Sequence, residues 1–288
     1  MILQIIINGL LLGGLYTSIA VGFSLVWGVM NIINVAHGVL LMLGAYLTFW
    51  VVTLFGVDPF LTIPLSMGAL FIVGYLIQKG IMNRIVRAPL FVTFIVTYGL
   101  GLIIENFALL SWGARFRSAA PSYSGAGVMI GSIIIPYTRI VISIISVAMT
   151  LGLFVFMKKT RTGMAIRATR MDLEAAKYMG IKISTIYAIT FGIGAAMAGI
   201  SGSLMSITYM ITPVMGNPFT FLAFVICVLG GLGNINGALA GGIVFGLADT
   251  VGSVVLGTGW KDFIAMFILV IVLIFKPTGL VGMKYYEI

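Results

Sequence analysis

Few side chains in this sequence could carry chemistry. Among 288 residues there are seven acidic side chains, one histidine and one cysteine, and each reactive type stands apart from the others. Cys227 lies in an apolar run, so neither a disulfide framework nor a cysteine metal site can be assembled. His37 has Asn34 beside it but no cluster of acidic residues or further histidines, and a lone histidine makes no metal site, so none is expected. No serine, threonine or cysteine has a base and a supporting carboxylate at a credible spacing, which argues against nucleophilic catalysis. What remains are polar groups isolated inside or beside apolar runs: Asn34, His37, Glu105 and Asp249. An ionisable group in hydrocarbon is costly unless it faces water or a partner. Glu105 and Asp249 are therefore expected to line a hydrated path or to bond between helices, as flanks of one cavity. His37 reads as a packing or capping residue, with gating the alternative, and Asn34 and His37 stand with Glu105 and Asp249 as candidates for lining a translocation path.

The elements that hold these groups are set by solvent. Hydrophobic residues make up 61% of the chain and charged residues 8%, against about 25% charged in an ordinary soluble domain. With a mean hydropathy of +1.20 spread over the whole length, the expected fold is all-α: a polytopic transmembrane helical bundle of about 8–9 spans, in one transmembrane domain covering residues 1–288. The opening MILQIIINGLLLGG lacks a basic leader and reads as a retained first span. A net charge of +9 does not indicate nucleic acid, because the basic residues gather in short segments between apolar runs.

A span needs about 20 apolar residues at 1.5 Å per residue. Runs of that length occupy 5–27, 38–56, 59–78, 90–112, 138–157, 185–210, 238–256 and 262–280, and a ninth at 220–232 is shorter. Two basic stretches lie between them: Lys79, Arg84 and Arg87, then Lys158, Lys159, Arg161, Arg167, Arg170, Lys177 and Lys182. The positive-inside rule places both in the cytoplasm, and the two spans separating them are the even number that a shared side requires. The same rule puts Lys276, Lys284 and the C-terminus inside and the N-terminus outside.

Small residues recur four apart within spans, at Gly9 and Gly13, Gly192 and Ala196, Ala195 and Gly199, Gly237 and Gly241, and Gly242 and Gly246. Such spacing predicts close helix packing, since lipid offers helices no hydrophobic drive to associate. The glycines Gly230, Gly231, Gly233 and Gly237 interrupt an apolar stretch, which predicts either a broken helix lining a cavity or a tight cytoplasmic turn. They form no nucleotide loop, because no Lys-Ser/Thr follows and no βαβ unit surrounds them.

The longest hydrophilic stretch is 158–184. Thr169 followed three residues later by Asp172 has the form of a helix N-cap with an acid at the third position, and Gly180 suits the stop. This predicts one short cytoplasmic helix over 169–180. Met171, Ala175 and Tyr178 would share a face, with Asp172, Glu174 and Lys177 turned to water or a partner.

Within it, Glu174-Ala175-Ala176 with Gly180 four residues on resembles the EAA-x3-G coupling motif of ABC importer permeases. Further blocks are similar, in order, to permeases of the branched-chain amino acid (Leu/Ile/Val) type: NIINVAHGVLLMLG at 31–44, AITFGIGAAMAGISG, VLGGLGNINGALAGGIVFGLAD and KDFIAMFILVIVLIFKPTGLVG. Val35 and Val39 stand where that family often has Phe and Glu. The likeness spans roughly residues 8 to 282. It implies a non-enzymatic transport subunit of a prokaryotic plasma (inner) membrane importer, with no cofactor of its own. ATP and Mg would sit on two partner ATPase chains, a second permease (homologue or copy) would complete the path, and an extracytoplasmic binding protein would deliver the cargo. Thr169, Asp172, Glu174, Ala175, Ala176 and Gly180 would then couple to the ATPase. Permeases for urea, amides or other amino acids fit the same resemblance. An ion-coupled secondary transporter is the rival from another class, and would usually display an inverted repeat.

Overall fold

Apolar segments in lipid must satisfy their own backbone, and helices do so within one segment. The computed structural model describes residues 2–130 and 133–281. In it α1 (Ile2–Met30) and α2 (His37–Phe55) are followed by α3 (Ile63–Ile77), which passes through a π turn at Gln78–Met82 into the short α4 (Asn83–Ile85). Next come α5 (Leu90–Trp112), a ribbon of β1 (Gly127–Ile130) and β2 (Ile133–Pro136), and α6 (Tyr137–Lys159). The chain continues through α7 (Arg161–Met171), α8 (Leu173–Tyr178), α9 (Ile183–Thr208), α10 (Gly216–Gly230), α11 (Ile235–Val255) and α12 (Lys261–Phe275). Among the described residues, seven helices are long and apolar enough to cross a membrane, and α10 and α12 are shorter. The expected run 262–280 is cut at Phe275, where Pro277 follows in a turn.

Helices α1 and α9 form the centre and are buried over most of their length, whereas α5 is peripheral and largely outward-facing. The small-residue pairs meet as their spacing predicts. On the α1–α11 seam, a Cβ added to Gly13 would lie 2.8 Å from the Cα of Ile243, and one added to Gly246 would lie 2.4 Å from the Cα of Gly13. Gly192 and Gly199 of α9 take the flank of α3 in the same way, against Phe71 and Leu70.

Sidedness follows from contacts between ends. The Asn83 amide donates to the carbonyl of Ser184, which brings the basic end of α3–α4 beside the basic start of α9. Leu280 and Val281 return to bond the carbonyls of Leu229 and Gly230, and Gly233 packs on Gly28 at the end of α1. The charged segments and the last described residues therefore share one face, the cytoplasmic one under the positive-inside rule. Lys284 lies outside the described residues.

Candidate functional site

Two places depart from regular packing, one inside the bundle and one at its cytoplasmic end. Inside, α2 does not begin where α1 ends. The ring of His37, the first residue of α2, hydrogen-bonds through Nε2 with the carbonyl of Ile19 at 2.9 Å. Ile19 lies eleven residues before the end of α1, roughly 16 Å up from that end at 1.5 Å per residue. Residues 31–36 climb back through this depth without helix, turned at Asn31 by a left-handed φ of 53°. Helix α10 starts at the same level, since Gly216 abuts Gly38 so closely that a Cβ on Gly38 would fall 1.9 Å from the Gly216 carbonyl oxygen. Two helix N-termini thus converge at mid-depth, each led in by non-helical chain.

Non-helical backbone at this depth requires partners, and two threonines supply them. Thr97 Oγ1 donates to the Ile33 carbonyl at 2.9 Å and receives the Val35 amide at 3.3 Å. Thr220 Oγ1 lies 3.1 Å from the Val35 carbonyl and receives the Gly38 amide at 2.9 Å. The second break, 209–215, is held by Ile211, which exchanges both backbone hydrogen bonds with Arg117 at 2.8 and 3.1 Å. The Arg117 guanidinium lies over the rings of Phe49 and Trp50 and donates to the Trp112 carbonyl. None of Thr97, Thr220 and Arg117 was singled out by sequence, where a threonine in an apolar run reads as bonding its own helix.

The four polar candidates divide between two places. Asn34 and His37 lie in the break and are fully buried; His37 sets its ring edge-to-face on Phe23, and Asn34 Oδ1 has no hydrogen-bond partner among the described residues. Glu105 stands beside them on α5, where its carboxylate accepts from the Asn217 amide at 3.1 Å, next to the uncapped start of α10. Asp249 is elsewhere. It is buried on the α1–α11 seam and accepts from the Tyr16 hydroxyl at 2.8 Å. The expectation that Glu105 and Asp249 flank one cavity is therefore corrected: each is claimed by a partner on a different helix pair.

The glycine break also resolves. Gly230 closes α10, Gly231 and Gly233 adopt φ of 108° and 76°, and Asn234 caps α11 by accepting from Asn236 and Gly237 amides. It is a tight cytoplasmic turn, with Gly237 pressed on Gly230. Beside it opens a cavity of about 760 Å³ whose walls include Asn31, Arg170 and Asn236.

At the cytoplasmic end, 158–184 folds as two helices rather than one over 169–180. Thr160 caps α7, its hydroxyl accepting the Gly163 amide. Good helix formers carry α7 on through Thr169, which is buried and bonds the Ala165 carbonyl. Thr169 is thus not a cap. Asp172 is, with an extended φ of −153° that breaks the chain direction and a carboxylate accepting the Glu174 and Ala175 amides, each at 2.9 Å. Gly180, at φ 79°, ends the turn after α8. Ala176 is buried against the bundle and Glu174 pairs with Lys177. The outer face of this elbow carries Met171, Tyr178 and Met179, all more than 80% exposed, with Ala175 beside them.

Comparison with known proteins gives this geometry a family. Residues 5–273 match the family model described as branched-chain amino acid transport system, permease component. The chain is 33% identical to the high-affinity branched-chain amino acid transport system permease protein BraD of Pseudomonas aeruginosa, over 99% of this chain and 97% of that one. Identity and coverage are the same with the corresponding protein LivH of Escherichia coli. A probable permease of this kind from Methanocaldococcus jannaschii is 26% identical over 99% of this chain and 94% of its own. No solved structure matches. By its match over most of its length and by these relatives, the chain belongs to the family of permease components of branched-chain amino acid transport systems.

Proposed function

We propose that this chain is the transmembrane subunit of an ATP-binding-cassette importer that carries branched-chain amino acids across a prokaryotic plasma (inner) membrane. The observation that carries the reading is the α7–α8 elbow. Large apolar side chains of Met171, Tyr178 and Met179 stand in water on a capped, rigid turn at the cytoplasmic face, a surface that asks for a partner. Two ATPase chains, binding ATP and Mg themselves, would receive one elbow from each of two permease subunits, this chain and a homologue or second copy. An extracytoplasmic binding protein would deliver cargo to the other face.

The mechanism is motion. Closure of the ATPases pushes the elbow, and α7 passes the displacement to α1 and α9, on which it packs. Those helices carry the mid-depth break, where α2 and α10 start against each other at Gly38 and Gly216. A junction of short backbone contacts has discrete packed arrangements rather than a continuous range. Switching between them would expose the region of Asn34, Glu105 and Asn217 to alternate sides, and Gly230, Gly231, Gly233 and Gly237 would move as one hairpin at the inner mouth.

Co-purification of the tagged chain from its native membrane tests the reading. Two ATPases and a second permease are the expected companions; a chain that purifies alone and transports in liposomes without ATP overturns it. Glu174→Arg should remove the ATPases while leaving the chain inserted, and normal uptake by that variant would sink the coupling role of the elbow.

A further inference from the structure

A cavity of about 140 Å³ at the outer end of the bundle has no part in the scheme above. Four elements line it: the outer half of α1, the first turns of α6, the end of α9 and the last turns of α11. All four present their extracytoplasmic ends here, because α1 and α6 run towards the basic face and α9 and α11 away from it.

Its wall has two characters. The polar part comes from Arg139 of α6, an exposed residue, Asn8 of α1 and Thr250 of α11. Neither Arg139 nor Asn8 makes a side-chain hydrogen bond or ion pair among the described residues. Arg139 is also one of the few basic residues left on the outer face. Helix α9 ends at the same place with Thr208, and the last carbonyls of a helix carry partial negative charge. The apolar part includes Leu12, Leu15 and Ile142, which offer branched aliphatic surface. At about 30 Å³ of liquid volume per water, the space equals on the order of five waters, the scale of a small organic molecule.

We infer that this cavity is an outer receiving station for a zwitterionic aliphatic amino acid. The carboxylate docks on the Arg139 guanidinium, the one free cation among its lining residues and a group suited to bidentate carboxylate binding. The ammonium meets the carbonyl end of α9 and the Asn8 side-chain oxygen. The side chain lies among Leu12, Leu15 and Ile142. The station rests on the importer reading and adds to it a place where the permease itself recognises cargo, separate from the mid-depth break.

The test uses the complete complex in liposomes, with saturating leucine-loaded binding protein so that delivery is not limiting. Arg139→Gln should lower maximal L-leucine uptake at least tenfold, with binding-protein docking and its stimulation of ATP hydrolysis kept within twofold. Arg139→Lys should recover part of the rate. Leu12→Trp, which fills the cavity and leaves Arg139 in place, should reproduce the loss. Uptake within twofold of the unchanged complex in both Arg139→Gln and Leu12→Trp overturns the station while the importer reading stands. Loss of docking in Arg139→Gln also overturns it and makes Arg139 a contact for the binding protein. A lower membrane yield with unchanged uptake per complex overturns it in favour of a lipid-headgroup anchor. Should the unchanged complex show no ATP-dependent uptake, the importer reading fails and the station with it.

Discussion

The α1–α11 seam and the α7–α8 elbow use opposite means to the same transport task. Along the seam, Gly9 and Gly13 face Gly242 and Gly246 so closely that backbone meets backbone, and its one acid, Asp249, is bonded to Tyr16. At the elbow the backbone is satisfied by Asp172 and Gly180, but the large apolar side chains find nothing to cover them. A seam closed in this way fixes shape, whereas on the importer reading proposed above an elbow left open would be where another molecule pushes. Force applied there would then reach the mid-depth break without being absorbed by deformation of the seam.

The largest expected effect comes from breaking the closed region. Gly13→Leu or Gly246→Leu would place a side chain where a Cβ alone already falls 2.8 or 2.4 Å from backbone, and overpacking of this kind costs at least about 1–3 kcal/mol and separates the helices. Monodisperse chain recovered from membranes should fall more than tenfold. Gly68→Leu is the control, since nothing lies within 4 Å of its added Cβ, and it should accumulate normally. Equal recovery of all three would mean that the seam is not what holds the bundle.

Next in size is the open region. Tyr178→Asp combined with Met179→Asp puts charge on the exposed face and disturbs no contact inside the chain. Folded yield should stay within twofold while retention of the ATPases drops at least tenfold. Unchanged retention would show that the elbow's apolar face is not buried by them.

Both regions were legible from sequence for a local reason. Small residues four apart are needed wherever backbones touch, and the stop at Gly180 acts within three residues of itself, whereas Asp172, read as the acid following a Thr169 cap, is itself the cap. What stayed hidden is non-local. Glu105 and Asp249 looked alike as lone acids in apolar runs, yet their partners Asn217 and Tyr16 lie 112 and 233 residues away. The mid-depth break was equally hidden, because hydropathy does not separate a span from a half-span led in by extended chain. Thr97, Thr220 and Arg117, placed by tertiary structure, supply the long-range bonds that help make that chain tolerable. Thr169 misled because it has the composition of a cap, while Thr160 had already started the helix that runs through it.

A smaller effect sharpens the elbow. Asp172→Ala removes a carboxylate that accepts two amides, and loss of such a cap costs about 1 kcal/mol. Spread over a six-residue helix, that should fray α8 without unfolding the chain. Hydrogen exchange at Glu174 and Ala175 should rise several-fold, with coupling of ATP hydrolysis to uptake reduced but present. Exchange unchanged at both amides would mean that α8 is held by packing at Ala176 rather than by its cap.

The smallest effect probes a region intermediate between the two, the outer loop, which is tied down by few bonds. Tyr123 donates its hydroxyl to Asp58 Oδ2, and Asp58 Oδ1 receives the Phe60 amide at the start of α3's leading turn. That bond, with smaller contributions from desolvation and from the carboxylate's charge, pushes the Tyr123 phenol up to about 12. The bond needs the neutral phenol. Because the folded value is raised, the tie is fully present below the ordinary tyrosine value of about 10 and is lost as pH rises through about 12. Asp58→Asn should bring the titration back towards 10, read by ultraviolet difference absorbance with Tyr123→Phe as the blank. A titration unmoved by Asp58→Asn would mean that this bond does not hold the loop, leaving the Arg117–Ile211 pairing and the Ala119 amide on the Ser206 carbonyl as ties between the outer loop and the bundle.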